Sequence, residues 1–444
     1  MSKLRRLTGL LLATAAISVA VPTAIVVAQN AAPAKTPSTP QPPYPDMPPL
    51  TDAEIAARSG RGGGGAPAAP FNWAVSLRSD FDKQLQNPYV ADMNWYQMPA
   101  GRFLGGVSGI DTDRDGTSIW IAERCGGINA CDGQQVDMIM KIGEDGKIKK
   151  MFGKNIINYP HGLFVDKDNN IWVTDTWSNV MPTVGGSPPP NPNHPNPGGA
   201  QVIKFDQNGK ILLRIGKPGI YGTGPELLSQ PSDVVTDSKG NIYVADAHDT
   251  APANNRIAKY DKNGKYIKEW RSCHPSQARQ IDCSHSIEID SQDRIFVANR
   301  SNNVIHIYDT EGKMLAVWPH FGKPTGLMID DDDNLYVADS QTGTGNGNSF
   351  VKGVHVGSAR TGEVKWFIPD PLGNSAPWTG AGTLSPESVT ALKDGRIISA
   401  SVRPQGLYRW SISKNTRPFP APGGPGGPPA AGGAPAAARP PAGG

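Results

Sequence analysis

The sequence predicts an all-β fold made of repeated four-stranded units, and three observations support this prediction. A short apolar strand, a turn rich in Asp, Asn, Lys and Gly, and a strand of β-branched and aromatic residues recur together six times. Most copies continue into two further strands around a second turn such as "DKNGK" or "DTEGK". Helical periodicity is nearly absent. Because one four-stranded unit cannot bury both of its faces, six units must pack around an axis, which describes a six-bladed β-propeller.

The six copies share their first two strands and differ mainly in the segments that follow. In chain order they read "VSGIDTDRDGTSIWIAER", "PHGLFVDKDNNIWVTDT", "PSDVVTDSKGNIYVADA", "SHSIEIDSQDRIFVANR", "PTGLMIDDDDNLYVADS" and "PESVTALKDGRIISASV". Two copies are followed by insertions, "MPTVGGSPPPNPNHPNPGGA" and "DSQTGTGNGNSF". We expect these insertions to form loops at the faces of the propeller.

The N-terminal segment has the pattern of an export signal. Basic residues, Lys3, Arg5 and Arg6, precede an apolar stretch over residues 7–28, and small residues suit cleavage after Ala28. This predicts a signal peptide over residues 1–28 and a secreted or periplasmic protein, with an uncleaved N-terminal anchor as the alternative.

Two further segments are rich in Pro, Ala and Gly, namely residues 29–70 and 416–444. Neither can bury enough apolar surface to offset the loss of chain entropy on folding, so we expect both to be disordered. The propeller is therefore predicted to span residues 71–415.

The charge of the chain is nearly balanced. Its 444 residues include 43 basic and 40 acidic ones, and the formal net charge is +3. This gives no reason to expect nucleic acid or an anionic membrane surface as a partner. We expect a monomer.

The four cysteines form two local pairs, Cys125 with Cys131 and Cys273 with Cys283. In an exported protein we expect each pair to form a disulfide that braces a long loop. A zinc knuckle is the weaker alternative, because neither pair has the two-residue spacing of such sites.

One position in each copy is predicted to face the central channel, because it starts the innermost strand. In chain order this position holds Ser108, His161, Ser232, His285, Thr325 and Glu387. Alternate units of a six-membered ring lie about 120° apart, so we predict that His161, His285 and Glu387 converge on the axis and hold a metal. Three ligands with an open fourth position are what a catalytic zinc site needs, although another divalent ion is possible. The alternative is a set of polar channel residues that contact water or carbonyl groups.

A second ring is predicted just after the second strand of each copy. It holds Arg124, Thr176, Ala247, Arg300, Ser340 and Ser401. The two arginines fall in the first and fourth copies, on opposite sides of a six-membered ring. We predict that Arg124 and Arg300 clamp a substrate carboxylate. The alternative is that each arginine pairs with a neighbouring acid, such as Glu123, Asp175 or Glu288.

The repeats resemble those of the NHL family. The resemblance is carried by lines such as "PHGLFVD", "PSDVVTD" and "NIYVAD", and it covers nearly all of residues 103–412. It implies a β-propeller fold. It does not fix the function, because NHL propellers include RNA binders, protein-binding scaffolds and enzymes.

Within this family, "VSGI…WIAER", "PHGLFVD" and "SHSIEID…VANR" are similar to the catalytic propeller of peptidyl-α-hydroxyglycine α-amidating lyase. That enzyme splits a peptidyl-α-hydroxyglycine into a peptide amide and glyoxylate. Its zinc is held by one histidine in each of blades two, four and six, with two arginines and a tyrosine around the substrate. By this resemblance His161 and His285 match two zinc ligands, and Arg124 and Arg300 match the arginines.

The chain departs from the lyase pattern at three positions. Glu387 stands where the family has its third zinc-binding histidine, and Ser388 follows where the family has an aspartate associated with calcium. The resemblance therefore implies zinc but gives little support to a calcium ion. His248 falls at the position of the family's tyrosine and is a candidate base, or else an exposed loop histidine.

The function predicted from these residues is a zinc-dependent carbon–nitrogen lyase that acts on a small-molecule or peptide substrate with a carboxylate. Two other functions remain open. One is a non-catalytic propeller that binds a protein or glycan of the cell envelope. The other is a different metal enzyme on the same scaffold, such as a lactonase-like hydrolase.

Overall fold

The computed structural model describes residues 85–128, 131, 136–176, 198–248, 254–272, 283–342, 351–370 and 385–418. The chain divides into a unit Met1–Ser38, which lies outside the described residues, and a unit Thr39–Gly444, which contains all of them. The predicted signal peptide and linker, and nearly all of the predicted C-terminal tail, also lie outside the described residues.

The described part of the chain is built of β-strands, together with a short 3-10 helix, Arg300–Asn302. Within these ranges no helix has the length and apolar character needed to cross a bilayer. The prediction of an all-β propeller is confirmed.

Sixteen of the strands in the described ranges form four separate antiparallel sheets of four strands each, in the order of the chain. The first sheet contains β2 (Val107–Thr112), β3 (Ile119–Glu123), β4 (Ile139–Ile142) and β5 (Ile148–Phe152). The second contains β6 (Pro160–Val165), β7 (Ile171–Asp175), β8 (Gln201–Phe205) and β9 (Ile211–Gly216). The third contains β10 (Pro231–Thr236), β11 (Ile242–Asp246), β12 (Arg256–Tyr260) and β13 (Tyr266–Arg271). The fourth contains β14 (Ser286–Ile289), β15 (Ile295–Asn299), β16 (Val304–Tyr308) and β17 (Met314–Trp318).

The other eight strands form one continuous sheet, in the order β18-β19-β20-β21-β1-β24-β23-β22. They are β1 (Gln86–Asp92), β18 (Gly326–Ile329), β19 (Asn334–Asp339), β20 (Gly353–Ser358), β21 (Val364–Pro369), β22 (Ser388–Ala391), β23 (Ile397–Ser401) and β24 (Gly406–Pro418). The prediction of six separate blades is therefore wrong: four blades are separate, and the strands of the last two copies are joined. The join is a single parallel pair, Gln86 with Trp366, between β1 and β21.

The first strands of the six sequence copies are neighbours in a closed ring. Going round the ring, these strands are β2, β6, β10, β14, β18 and β22, and β22 again lies beside β2. The N-terminal strand β1 pairs antiparallel with the last strand, β24, so the two ends of the described chain are held in one sheet. The ring places the start of every copy around one central channel.

In four of the copies, an aspartate in the turn after the first strand binds an aromatic side chain of the second strand. The contacts are Trp120 Nε1 to Asp113 (2.7 Å), Trp172 Nε1 to Asp166 (3.0 Å), the Tyr243 hydroxyl to Asp237 (2.9 Å) and the Tyr336 hydroxyl to Asp330 (3.0 Å). In each pair the aromatic group donates a hydrogen bond that satisfies a buried polar atom and fixes the register of the two strands. The turn acids are therefore part of the repeat.

Apolar side chains fill the space between neighbouring sheets. Trp120 of the first sheet and Phe205 of the second are fully buried in one cluster, together with Val165 and the half-buried Phe152. The Phe152 and Phe205 rings lie 5.3 Å apart between centroids. This packing joins each sheet to the next and thereby holds the first strands in place around the channel.

The disulfide predicted between Cys125 and Cys131 is confirmed. It closes the loop after β3, directly beyond Arg124, and the Ile128 carbonyl in this loop accepts a hydrogen bond from the Arg124 guanidinium (3.0 Å). Cys283 is also disulfide-bonded, while its predicted partner, Cys273, lies outside the described residues.

Candidate metal centre

Five of the six residues of the predicted channel ring bond to a backbone carbonyl of the next copy. The contacts are Ser108 to Pro160 O (3.3 Å), His161 to Ser232 O (2.8 Å), Ser232 to Ser284 O (2.6 Å), His285 to Thr325 O (2.6 Å) and Thr325 to Pro386 O (3.3 Å). The small hydroxyl residues between the histidines therefore link neighbouring copies. They also supply the carbonyl groups that orient the two imidazoles.

His161 and His285 are held as metal ligands would be. Each is almost fully buried and uses Nδ1 to bond a backbone carbonyl. A carbonyl only accepts hydrogen bonds, so Nδ1 carries the proton and Nε2 keeps its lone pair. Among the described residues, neither Nε2 atom has a hydrogen-bond partner. A buried, unbonded nitrogen on a ring that is oriented through its other nitrogen is typical of a metal ligand.

His248 completes the cluster, although it lies outside the predicted channel ring. It is buried just after β11, and its ring centroid lies 4.3 Å from that of His161 and 5.3 Å from that of His285. One nitrogen from each of the three histidines lies within 4.8 Å of the others. The three side chains could therefore hold a metal ion. His248 is not the exposed loop histidine considered from the sequence.

Glu387 lies at the edge of this cluster. Its Oε2 accepts a hydrogen bond from the Ser340 hydroxyl (2.6 Å). Its Oε1 lies 3.5 Å from His285 Nε2 and 3.6 Å from Arg300 Nη1. The structure thus brings Glu387 to one of the two predicted histidine partners and to one of the two predicted arginines.

Both predicted arginines are buried beside the cluster. Arg124 donates to the Ser108 hydroxyl (3.2 Å), and its guanidinium lies 4.2 Å from the centre of the Tyr159 ring. The Arg124 Nε atom has no hydrogen-bond partner in the part of the chain that the structure describes. Glu123, which sequence reasoning offered as a partner, instead forms an ion pair with Arg102 (2.5 Å). The Arg124 guanidinium therefore has hydrogen-bonding capacity left.

Burial and positive charge keep the three histidines neutral. Burial lowers the pKa of His161, His248 and His285 well below the usual value, and the nearby positive charges of Arg124 and Arg300 lower the pKa of His161 and His248 further. The Arg300 charge acts on the pKa of His285 in the same way. Metal ions bind the neutral form of imidazole, so the electrostatics favour a ligand state.

The channel beside the histidines contains half-buried carboxyl groups. Asp233, Glu288 and Ser388 line it together with His161 and His285. Burial raises the pKa of Asp233 to about 7 and raises that of Glu288 well above its usual value. The Ser388 hydroxyl, at the position of the family's calcium-associated aspartate, has no hydrogen-bond partner among the described residues.

The raised pKa of Asp233 predicts how stability depends on pH. The folded-state value of about 7 lies above the ordinary value of 3.8, so folding favours the protonated carboxyl. Protonation of Asp233 in the folded state therefore contributes up to about 4 kcal/mol to the free energy of unfolding. This contribution is fully present below about pH 4 and is lost as pH rises towards 7. We expect Asp233→Asn to flatten the change in unfolding free energy over this window, measured by denaturant titration at several pH values.

A matched control for this prediction is Asp206→Asn. Backbone hydrogen bonds from Lys210 and Asn208 lower the pKa of Asp206, which is partly exposed, so its titration lies below the window. The Asp206 variant should keep the wild-type slope between pH 4 and 7. An unchanged slope in the Asp233 variant would contradict the assignment.

Tyr159 is a site residue that sequence reasoning missed. Its ring packs against the Arg124 guanidinium, and its centroid lies 6.5 Å from that of His248. The available signal was its place directly before Pro160, two residues before the ring position of His161. That signal is weak, because the other copies have no aromatic residue there.

The proteins to which this chain is similar include NHL-repeat proteins, in agreement with the repeats seen in its sequence. The chain is 23% identical over 243 residues to NHL repeat-containing protein 3 of Mus musculus, covering 53% of this chain and 61% of that protein. It is 24% identical over 215 residues to peptidyl-alpha-hydroxyglycine alpha-amidating lyase 2 of Drosophila melanogaster, covering 45% of this chain and 46% of that protein. Its relatives are NHL-repeat proteins and amidating lyases. The resemblance seen in the sequence is confirmed.

The match is partial in extent. The chain spans less than two thirds of the length of either relative. Among solved structures, the WD40 β-propeller domain of Doa1 matches with a TM-score of 0.42 and 13% identity, over 74% of this chain and 97% of that domain. No family model matches the chain.

Proposed function

We propose that this chain is an exported, zinc-dependent carbon–nitrogen lyase whose reaction resembles that of the amidating lyases. The observation that carries the proposal is the pair of buried histidines, His161 and His285, with unbonded Nε2 atoms close to His248 and two arginines beside them. In this proposal the eight-stranded sheet counts as two blades joined at one edge, which gives six blades around the channel. The disulfide between Cys125 and Cys131 supports export, because disulfides persist in oxidising compartments.

The residues present fit a zinc ion. Neutral imidazole nitrogens are ordinary zinc ligands, and the buried Nε2 atoms of His161 and His285 have no hydrogen-bond partner in the described chain. When bound, such a metal acts as a Lewis acid towards a substrate oxygen. The protein's part is to orient the imidazoles through the Ser232 and Thr325 carbonyls and to keep them neutral.

The arginines suit a substrate that carries a carboxylate. In the proposed reaction the carbon–nitrogen bond of an N-acyl-α-hydroxyglycine breaks, its hydroxyl loses a proton as the aldehyde forms, and the amide nitrogen gains a proton. The products are an amide and glyoxylate, so atoms balance without a further reactant. The Arg124 guanidinium is held by Ser108, Ile128 and the Tyr159 ring, with Nε still available to a carboxylate oxygen.

The direct test is glyoxylate release from an α-hydroxyglycine peptide by the purified, zinc-loaded protein. We expect equal amounts of amide and glyoxylate, loss of activity on chelation and its return with zinc. We expect Arg124→Gln to raise KM for this substrate by about 10- to 100-fold, the size of a lost charge-assisted hydrogen bond, with thermal stability as the folding control.

Other outcomes of this test distinguish the remaining functions. Bound metal without glyoxylate release would favour a lactonase-like hydrolase on the same scaffold. A protein that binds no metal would favour a non-catalytic propeller that binds a protein or glycan of the cell envelope.

A further inference from the structure

We propose that His248, and not Glu387, completes the metal-ligand set with His161 and His285. The proposal deepens the proposed function and rests on it for the presence of a metal. It reverses the roles that sequence reasoning gave to these two residues. It also places the three ligands in three successive copies of the repeat, the second, third and fourth, where alternation predicted the second, fourth and sixth.

The distances favour His248 as the third ligand. The nitrogens of the three histidines that could bind a metal all lie within 4.8 Å of one another. Nitrogens bound to one tetrahedral zinc at about 2.0–2.1 Å stand roughly 3.4 Å apart, so modest rotations of the rings close the set. Glu387 Oε1 comes within 3.5 Å of His285 Nε2, but the described contacts place it beside that one histidine.

Glu387 already has other partners. The Ser340 hydroxyl donates to its Oε2 at 2.6 Å, and the Arg300 guanidinium lies 3.6 Å from its Oε1. This carboxylate offsets the buried positive charge of Arg300, which would otherwise be costly. As a metal ligand, Glu387 would have to share Oε1 between the metal and Arg300.

Among the described residues, His248 forms no hydrogen bond or ion pair that would occupy its nitrogens. Its contacts described by the structure are with imidazole and phenol rings, at centroid distances of 4.3 Å to His161, 5.3 Å to His285 and 6.5 Å to Tyr159. The His248 residue is buried, with only 5% of its surface exposed. A neutral imidazole packed against two other ligands is suited to share a metal with them.

Assigning His248 in place of Glu387 as the third ligand changes which side chains face the substrate. With the ligands in the second to fourth copies, the fifth, sixth and first copies are left to supply Ser340, Glu387 and Arg124. Because Glu387 is paired with Arg300, the predicted clamp of two free arginines reduces to Arg124 as the main carboxylate contact. The Glu387 carboxylate then lies beside the three histidines but is not a metal ligand.

The test is the zinc affinity of the full-length protein, measured by competition with a chromophoric chelator. We expect His248→Ala to weaken zinc binding by at least about 100-fold and Glu387→Gln by at most about 10-fold, since loss of a ligand exceeds loss of a neighbouring partner. His306→Ala is the matched control, because His306 is equally buried but lies outside the cluster, and it should leave zinc affinity unchanged. If His248→Ala does not fold, as judged by circular dichroism, His248→Gln is measured in its place with the same expectation.

The outcomes separate this inference from the proposed function. If the wild type binds zinc and the Glu387 variant loses more affinity than the His248 variant, the ligand assignment is overturned while a metal-dependent function stands. If the wild type binds no zinc, both are overturned.

Discussion

Replacing His161 by alanine is expected to remove bound metal and with it the proposed activity. The Nε2 atom of His161 is buried and unbonded among the described residues, and the Ser232 carbonyl fixes the ring so that this atom carries the lone pair. Its removal leaves too few ligands for a catalytic zinc site, so we expect a loss of more than about 100-fold in zinc affinity. The checks are metal content by mass spectrometry and glyoxylate release under saturating substrate.

The control for this variant is His306→Ala, which removes another buried imidazole remote from the cluster. Both variants lose a buried side chain, so thermal unfolding should show a comparable cost for each. Only the His161 variant should lose metal. Full retention of zinc by the His161 variant would remove the basis of the metal centre.

The largest expected effect on stability is that of Phe205→Ala. Phe205 is fully buried between the first and second sheets, against Trp120 and Phe152. Truncation of a buried phenylalanine typically lowers the free energy of unfolding by about 3–5 kcal/mol, because apolar contacts are lost and a cavity remains. Denaturant titration of the variant should show this loss.

Leu212→Ala is the comparison in the same sheet. Leu212 is 45% exposed on the outer strand β9, and we expect its truncation to cost less than about 1 kcal/mol. A similarly small effect for Phe205 would mean that the two sheets do not share the core described above.

The fold could be predicted from the sequence to the extent that it depends on local patterns. The turn after each first strand is set by residues close in sequence, such as the Asp166 that binds Trp172, and these recur visibly. The joining of the last two copies into one sheet could not be read in this way. It depends on the pairing of β1 with both β24 and β21, which are more than 270 residues away in sequence.

The candidate site was predictable where a residue occupies a fixed place in the repeat. His161 and His285 start the innermost strands, so their position follows from counting, and the structure brings them together. His248 was harder, because it follows a second strand and begins a longer loop of its own copy. Its depth in the channel is set by packing against the other histidines, which a repeat pattern does not encode.

A repeat pattern does not encode packing, and this explains why the sequence predicted Glu387 as a metal ligand. Alternation around a ring gives the direction of a side chain, but it does not say which partners the side chain will have. Here the Ser340 hydroxyl and Arg300 are those partners, and they come from the second ring of other copies. Each of these residues could be placed in a ring from the sequence, but their contact with one another could not be predicted.

The most direct measurement is the zinc content of the purified wild-type chain after reconstitution and removal of free metal. Three imidazoles whose nitrogens lie within 4.8 Å of one another should retain about one zinc per chain, and the His161→Ala variant should retain far less. A content near zero would contradict the account, since a metal at the channel histidines is what the proposed lyase chemistry and the ligand assignment both require.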